Sequence, residues 1–321
     1  MFSDLDDRST GTARSEGGHV LVSIVIPTYR HRDYVCETLS SVLAQTFRDF
    51  EIILVNDGSP DDTADVVREM VQRHQIRYIE QANAGQANAR NVGIAQARGA
   101  YIALLDDDDL WPPDKLAWQV ALLEEDPSAV MVYGGVRFVG DETSPLNPGP
   151  DAPSGEVREA FLRRCRIWSP GQTLIRHATL KQIGLLDETV WGADDWDLYI
   201  RLAAQGNVIY RNLPSLYYRI HRGSASQDAI KMYRNQWRVF NKHMGRAVWK
   251  DRSIRGEWRG ASSAYCLKVL DMSLEARRGG HPLRAVRALC IAVAIKPSQL
   301  TEKFFWMHRF WPLLNGRGWD L

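Results

Sequence analysis

The chain has 321 residues, of which 45% are hydrophobic and 25% are charged, and these fractions are ordinary for a globular protein. This length accommodates one large domain, or one domain with an appendage. No stretch reaches about 18 uninterrupted apolar residues, so no membrane span is predicted. The four cysteines show no CxxC spacing, which favours a reduced, cytosolic protein without a zinc site.

Charge is distributed unevenly along the chain. The formal net charge is +1, yet residues 231–321 hold 18 Lys and Arg against 6 Asp and Glu, while the other residues hold 22 against 33. The two parts are therefore expected to have different partners. Residues 1–19 are polar and lack an apolar core, so a disordered tail is predicted there and not a signal peptide.

Predicted strands and helices alternate in the first third of the chain. Apolar, β-branched runs predict buried strands, and apolar residues at helical spacing predict helices between them. The strands are predicted at residues 19–27, 50–57, 76–81 and 99–106, and the helices at 32–46, 61–74 and 85–98. Alternation in steps of about 25 residues predicts an α/β fold: a mostly parallel, Rossmann-like sheet with helices on both faces.

The pattern is less regular after residue 110. The predicted elements are a helix after the proline pair 112–113, a strand at 129–140, a Pro/Gly-rich loop at 141–155, a strand and short helix within 168–188, a helix within 191–206, and a strand pair or a strand and loop at 207–228. The remainder is predicted to be helical, basic and rich in tryptophan. We therefore divide the chain into a disordered tail (1–19), one domain (20–228) and a C-terminal helical appendage (229–321).

Four consecutive aspartates, Asp106–Asp109, follow the fourth predicted strand, and we call them the first acidic cluster. In parallel sheets the ligand binds outside the carboxyl ends of the strands, where this cluster lies together with Asp57. Carboxylates spaced as D-x-D suit Mg²⁺ or Mn²⁺, which also bind phosphate oxygens. The alternative is a solvated loop or a helix cap. No GxGxxG turn follows the first strand, which disfavours a dinucleotide site.

Several segments in order resemble the family 2 glycosyltransferases of the GT-A fold. They are "VSIVIPTYRHRDYV", "FEIILVNDGSPDDT" and "NARNVGIAQARGAYIALLDDDDLWPPDKL", and the resemblance extends over about residues 21–225. It implies transfer of a sugar from a nucleoside-diphosphate sugar to an acceptor hydroxyl, with inversion at the anomeric carbon. It also implies a Mn²⁺ or Mg²⁺ cofactor, and a glycan or lipid-linked acceptor in bacterial surface polysaccharide, lipopolysaccharide or glycan assembly.

The resemblance also implies roles for individual residues at the strand ends. Asp108 is the implied metal ligand, and Asp106 is implied to contact the ribose or to reach the metal through water. Because Asp107 and Asp109 flank this pair, the register of the D-x-D motif stays open by one position. The implied nucleotide-sugar-binding residues are Pro27, Thr28, Tyr29, Asp57, Asp106 and Asp107.

A second acidic cluster, Asp194–Asp195, opens the helix predicted within 191–206. By resemblance it carries the catalytic base, and Asp195 is the preferred residue. The alternative is a plain helix start, in which Asp194 is the N-cap and Asp197 pairs with Arg201 four residues later.

His221 matches a late histidine-bearing loop of the family that closes over the diphosphate or the metal. It is therefore the third implied metal-site residue, after Asp108 and Asp106. Arg219 and Arg222 flank it, and their guanidinium groups suit phosphate.

The C-terminal stretch "LTEKFFWMHRFWPLL", residues 300–314, combines aromatic residues with cations. One hypothesis packs these aromatics onto the domain as a helical cap. The other lays the helix on an anionic membrane surface, so that a cytoplasmic enzyme docks peripherally at the inner membrane face. Nucleic acid is disfavoured as a partner because the expected crevice is acidic and no known binding motif is present.

Two other functions compete with sugar transfer. A sugar-nucleotide nucleotidyltransferase would need a Gly-rich basic loop after the first strand, where this chain has "PTYRHRDY". A non-catalytic sugar-binding module on a transferase scaffold would not need both acidic clusters.

Overall fold

The computed structural model describes residues 20–74, 76–139, 145–148, 152–221 and 228–245, together with positions 269, 288, 290–292 and 295. Within these residues a seven-stranded sheet has the order β3-β2-β1-β4-β6-β5-β7. The strands are β1 (Val22–Thr28), β2 (Phe50–Asn56), β3 (Arg77–Glu80), β4 (Tyr101–Leu104), β5 (Ala129–Phe138), β6 (Thr173–Arg176) and β7 (Asn207–Tyr218). The helices are α1 (Arg32–Leu43), α2 (Thr63–His74), α3 (Gln86–Ala95), α4 (Lys115–Glu125), α5 (Arg158–Arg163), α6 (His177–Ile183), α7 (Asp194–Leu202) and α8 (Ala229–Met244).

The sheet is parallel except at β6, which runs antiparallel to both of its neighbours, β4 and β5. A short 3₁₀ helix, Pro170–Gln172, directly precedes β6 and begins with a capping box at Ser169. The chain therefore enters β6 from the carboxyl edge of the sheet and must run back. The prediction of a mostly parallel α/β fold is confirmed. The single reversal depends on a local turn that the strand pattern does not encode.

Hydrophobic cores lie on both faces of the sheet, because successive side chains of a strand point to opposite faces. Val22, Ile24 and Ile26 of β1 belong to one core together with apolar residues of α1, α2 and α4. Val25 belongs to the other core, together with residues of α3, α5, α6, α7 and α8. All seven residues of β1 are buried, as expected for a central strand that is covered on both sides.

Helix α3 approaches β1 more closely than a side chain would allow. A Cβ atom at Gly93 would lie 2.3 Å from Cγ1 of Val25, so only glycine fits this position. This close contact fixes the helix on the sheet. It also places the N-terminal turn of α3 at the carboxyl ends of β1 and β4.

Most predicted elements are present, with shorter bounds. For residues 207–228 a strand pair or a strand and loop was predicted. The structure has a single strand there, β7, whose pairing with β5 contains register shifts. Helix α5 was not predicted. Residues 1–19, the stretch 300–314 and most of the appendage 229–321 lie outside the described residues. In the part of the chain that the structure describes, no helix is both long and apolar enough to cross a membrane.

Candidate active site

A cavity of about 360 Å³ opens at the carboxyl edge of the sheet. It lies where β1, β2 and β4 end, so that residues far apart in sequence line one wall. The lining residues are Pro27, Thr28, Tyr29, His31, Asp57, Asn83, Gly85, Gln86, Asp106, Asp107, Asp108, Trp191 and Tyr218. All six residues predicted to bind the nucleotide sugar are among them.

Each carboxylate of the first acidic cluster has a different partner. Asp106 Oδ1 accepts hydrogen bonds from Arg90 Nη2 at 2.5 Å and from Gln86 Nε2 at 2.9 Å. Asp107 Oδ1 lies 2.7 Å from His31 Nδ1. These contacts reduce the repulsion that four adjacent carboxylates would otherwise experience.

The other half of the cluster is held by the chain segment that follows β7 and by Ser169, which precedes β6. Asp108 Oδ2 lies 2.8 Å from His221 Nε2. Asp109 Oδ1 accepts from the backbone N–H of Arg219 at 3.0 Å, and its Oδ2 accepts from Ser169 Oγ at 3.1 Å. Arg219 also donates from Nε to the main-chain oxygen of Asp108 at 2.9 Å, so its guanidinium is engaged with the protein. Arg222 lies outside the described residues.

Exposure alternates along the cluster. The side chains of Asp106 and Asp108 are 18% and 16% exposed, whereas Asp107 and Asp109 are 5% and 1% exposed as residues. Burial raises the pKa of Asp108, and the carboxylates of Asp106 and Asp107 raise it further. Burial followed by the charge of Asp108 raises the pKa of Asp109 well above its ordinary value. Asp106, Asp107 and Asp108 line the cavity and Asp109 does not, so the register of the D-x-D motif within the cluster stays a prediction.

Asp57 forms the floor of the cavity and organises the loop between β3 and α3. Its Oδ1 accepts from the backbone N–H of Ala84 at 2.8 Å and from Gln81 Nε2 at 2.8 Å, and its Oδ2 accepts from the backbone N–H of Gly85 at 2.9 Å. The next residue, Gly58, has φ +69, and a Cβ there would lie 2.9 Å from Asn83 N. Asp57 therefore shapes the cavity wall in addition to lining it.

The end of β1 and the residue that follows it also line the cavity. Thr28 is 1% exposed, and its Oγ1 makes no hydrogen bond within the described part of the chain. A buried hydroxyl without a partner costs free energy, so an atom beside the cavity that is left in this state suits a polar ligand. The backbone N–H of Tyr29 donates to Asp107 Oδ2 at 3.3 Å, which joins this segment to the first acidic cluster.

Arg90 joins the two acidic clusters. Its Nη1 donates to Asp194 Oδ2 at 2.8 Å, while its Nη2 binds Asp106 as described, and its side chain is 4% exposed. Burial lowers the pKa of Arg90, but the two carboxylates raise it above its ordinary value. A buried arginine between two carboxylates is a fixed positive charge at the centre of the site.

The alternative interpretation of the second acidic cluster is partly wrong and partly confirmed. The N-cap of α7 is Ala193, and no side chain caps the helix. Asp194 is the first helical residue, and Arg90 and the backbone N–H of Gly192 occupy its carboxylate, because a buried arginine outcompetes a local cap. Arg201 Nε does pair with Asp197 Oδ2, at 2.9 Å.

Asp195 differs from Asp194 in its hydrogen-bond and ion-pair partners. It makes no ion pair among the described residues, and its Oδ1 accepts from the N–H of Trp196 at 2.7 Å. Burial, followed by the charge of Asp194, raises the pKa of Asp195 to about 7. A carboxylate with a pKa near neutrality is suited to accept a proton at physiological pH.

One group of described side chains has the composition and spacing of a metal site. The ligand atoms of His31, Asp108 and His221 all lie within 4.8 Å of one another. Imidazole nitrogen and carboxylate oxygen are ligands that divalent transition metals accept. Two of the three predicted metal residues therefore meet, whereas Asp106 is engaged with Arg90 and does not belong to this group.

Helix α8 braces the segment that precedes the second acidic cluster. Asn235 Nδ2 donates to the main-chain oxygen of Trp191 at 2.8 Å, and Lys231 Nζ lies 3.4 Å from the centroid of the Trp191 ring. The first turns of the appendage thus fix a tryptophan that lines the cavity.

Three residues of the site were not predicted from the sequence: Arg90, His31 and Trp191. The partner of Arg90 lies 104 residues away at Asp194, and the partner of His31 lies 76 residues away at Asp107. The one available signal for Arg90 was its position four residues after Gln86, on the same face of a helix that begins at the ligand-binding edge.

The protein is therefore an α/β protein whose candidate ligand site lies at the carboxyl ends of its strands, beside the acidic clusters. The glycosyl transferase family 2 profile matches residues 23–187, and the chain belongs to that family. The predictions of this family and of a GT-A-type fold are confirmed.

Three relatives illustrate the breadth of the similarity. An uncharacterised glycosyltransferase of Rickettsia felis is 34% identical over 58% of this chain, and the chain spans 31% of the length of that protein. The putative teichuronic acid biosynthesis glycosyltransferase TuaG of Bacillus subtilis is 30% identical over 71% of this chain and 92% of its own. The Escherichia coli UDP-Glc:alpha-D-GlcNAc-diphosphoundecaprenol beta-1,3-glucosyltransferase WfaP is 30% identical over 66% of this chain and 82% of its own.

Two solved structures share the fold. S. aureus TarS 1-349 in complex with UDP-GlcNAc has a TM-score of 0.58 and 16% identity, over 88% of this chain and 92% of that one. The mannosyltransferase PcManGT from Pyrobaculum calidifontis, in complex with GDP-Man and Mn²⁺, has a TM-score of 0.55 and 18% identity, over 88% and 87% of the two chains.

Proposed function

We propose that this chain is a metal-dependent, inverting glycosyltransferase that moves a sugar from a nucleoside-diphosphate sugar to an acceptor hydroxyl. The observation that carries the proposal is that Arg90 links the first acidic cluster, which lines the cavity, to the second, whose Asp195 makes no ion pair among the described residues. In the first acidic cluster, Asp108 Oδ2 lies 2.8 Å from His221 Nε2, and both groups can bind a cation that holds a diphosphate. In the second, Asp195 has a pKa near neutrality, as a general base requires.

Donor binding is assigned to the ends of β1, β2 and β4. Asp57, the segment Pro27–Tyr29 at the end of β1 and Asp106 line the part of the cavity assigned to the nucleoside. Asp108 and His221 would hold the divalent cation, Mn²⁺ or Mg²⁺. When bound, that cation supplies positive charge that stabilises the diphosphate as it leaves.

The proposed transfer is a single displacement. The acceptor hydroxyl lies near Asp195, whose carboxylate takes the hydroxyl proton as the oxygen attacks the anomeric carbon. The bond from that carbon to the diphosphate oxygen breaks with its electron pair, so the nucleoside diphosphate leaves and the anomeric configuration inverts. Arg90 holds Asp194 and Asp106 in place on either side of this event.

Exposed aromatic side chains support a glycan as the acceptor. Trp168 is 49% exposed, and its ring packs against Phe138 and Tyr218 at centroid distances of 5.6 and 6.4 Å. Tyr218 also lines the cavity, so the aromatic surface is continuous with the site. Together with the names of TuaG and WfaP, this favours a glycan or lipid-linked acceptor in the assembly of a bacterial surface polymer.

The assay that tests the proposal measures which product is released from sugar nucleotides. UDP-Glc, UDP-GlcNAc and GDP-Man form the first panel, because the names of similar proteins contain them. A thermal-shift screen with Mn²⁺ selects the donor, and product analysis follows. We expect Mn²⁺-dependent release of nucleoside diphosphate. Release of pyrophosphate would show a nucleotidyltransferase instead, and donor binding without any release would show a sugar-binding module.

A further inference from the structure

His31 occupies a position that the implied family roles do not include. It is the N-cap residue of α1, yet its side chain makes no capping hydrogen bond to that helix. The ring points instead toward the ends of β4 and β7, where its centroid lies 5.3 Å from that of His221. The side chain is 25% exposed and lines the cavity. The fold therefore uses His31 for something other than starting the helix.

The backbone beside His31 is strained. Arg30 has φ +62, in the left-handed region, which is unfavourable for a residue with a Cβ. Its backbone N–H donates to Ser59 Oγ at 3.1 Å, which ties the turn to the segment after β2. Strain that is retained at the edge of a ligand cavity indicates that the position of the next side chain matters.

Asp107 orients the ring. Its Oδ1 lies 2.7 Å from His31 Nδ1. The hydrogen bond fixes the orientation of the imidazole through Nδ1, and Nε2 is the nitrogen that can bind a metal ion. A carboxylate behind an imidazole is the common arrangement for metal-binding histidines, because it sets the ring orientation and makes the ring a stronger base. Asp107 lines the cavity but is only 5% exposed, so protein contacts hold its carboxylate in place.

The side chains of Asp108 and His221 already have the spacing of two ligands on one metal ion. Asp108 Oδ2 and His221 Nε2 are 2.8 Å apart. Adjacent octahedral ligands at about 2.1 Å from a metal lie about 3.0 Å from each other. No large movement is therefore required for both atoms to bind the same cation.

We propose that His31 is a ligand of the divalent cation, together with Asp108 and His221, and that the two imidazoles make the site select Mn²⁺ over Mg²⁺. Mg²⁺ prefers oxygen ligands and water, whereas imidazole nitrogen suits the transition metals. The identity of the ion rests on the proposed function, in which the ion serves the diphosphate. The ligand set rests on the geometry of the three side chains.

The test measures Mn²⁺ binding to the full chain by electron paramagnetic resonance at pH 8, without any sugar nucleotide. Pulsed spectra of bound Mn²⁺ detect nitrogen ligands directly. We expect two imidazole couplings in the native chain and one in each of His31→Gln and His221→Gln, with Mn²⁺ affinity lowered at least tenfold in both. The Mg²⁺ concentration that displaces half of the Mn²⁺ should fall at least tenfold in His31→Gln.

Two further variants separate ligation from general disturbance of the site. Tyr34→Phe keeps the ring that packs 5.9 Å from His31 and should leave affinity and couplings unchanged. Asp107→Asn should keep both couplings but weaken Mn²⁺ binding by about 10–100-fold, the usual effect of altering the partner of a metal-binding histidine. Circular dichroism confirms that each variant is folded.

Two outcomes would overturn the proposal: a native chain that binds no Mn²⁺, or a His31→Gln variant with native affinity and two nitrogen couplings. Because the measurement needs neither donor nor acceptor, it can succeed even if no sugar transfer is found. Conversely, sugar transfer can be demonstrated while His31 proves not to be a ligand.

Discussion

The two acidic clusters contain the same side chain, but the protein neutralises them in different ways. In the first, Asp106–Asp109, each carboxylate has its own partner: Arg90 pairs with Asp106, and histidines pair with Asp107 and Asp108. In the second, Asp194–Asp195, Arg90 pairs with Asp194 only, burial raises the pKa of both carboxyls, and the charge of Asp194 helps to raise that of Asp195 to about 7. The comparison shows that the groups beside an aspartate, and not the residue type, determine whether its carboxylate suits a cation or a proton.

Removal of a cation-facing carboxylate should have the largest effect. We expect Asp108→Ala to abolish Mn²⁺-dependent donor binding, measured by calorimetry, while the fold stays intact. Stability should hold or rise slightly, because burial and two neighbouring carboxylates already disfavour the charge of Asp108. A variant that binds Mn²⁺ and donor like the native chain would show that the first acidic cluster is not the metal site.

Arg90 is the link between the two clusters, so its loss should affect both. Arg90→Gln leaves Asp106 and Asp194 without their cation, and we expect a loss of about 3–5 kcal/mol in the free energy of unfolding by denaturant. Arg68→Gln is the matched control, because Arg68 pairs with Asp65 on the surface, where both side chains are more than 60% exposed. That pair should be worth about 0–1 kcal/mol. Equal effects in the two variants would contradict the assigned role of Arg90.

The raised pKa of Asp195 predicts a pH dependence of both rate and stability. The rate constant kcat/KM should rise with pH through about 7, because the base acts when deprotonated. Stability should fall as pH rises from about 4 to 7, since the folded state holds a proton there that the unfolded chain has lost. Among the described residues, the charged or titratable groups that interact with Asp195 include Asp194, Arg90, Asp106, Cys165 and Tyr199.

Asp195→Asn isolates this contribution from the other buried carboxylates. Unfolding experiments across the same pH range should show a shallower decline of stability in the variant than in the native chain. Parallel stability curves would show that Asp195 titrates near its ordinary value of 3.8.

The smallest expected effect concerns the basic C-terminal stretch, residues 300–314. If it docks on an anionic surface, the full chain should co-sediment with anionic vesicles at low salt and less at high salt. Deletion of 300–321 should abolish sedimentation, and deletion of 1–19 is the matched control. Absence of binding at low salt, or binding that survives the deletion of 300–321, would favour the packing hypothesis.

Sequence was sufficient for the residues that follow strands directly. Asp57 and Asp106–Asp109 could be placed at one edge because the alternation of strand and helix fixes where each strand ends. It was insufficient for the residues that neutralise them. His31 and Arg90 act through partners 76 and 104 residues away, and such pairs form only when the sheet and α3 are assembled. The reversal of β6 depends likewise on Ser169 and the turn that follows it.

The account assigns donor binding to the first acidic cluster and proton transfer to the second. Asp195→Asn tests this assignment most directly, with donor affinity and turnover measured on the same preparation. The account predicts an unchanged Kd for the donor with Mn²⁺ and a turnover lowered by about 10² or more, the usual contribution of a positioned base. Near-native turnover at saturating acceptor, or loss of donor binding, would contradict it.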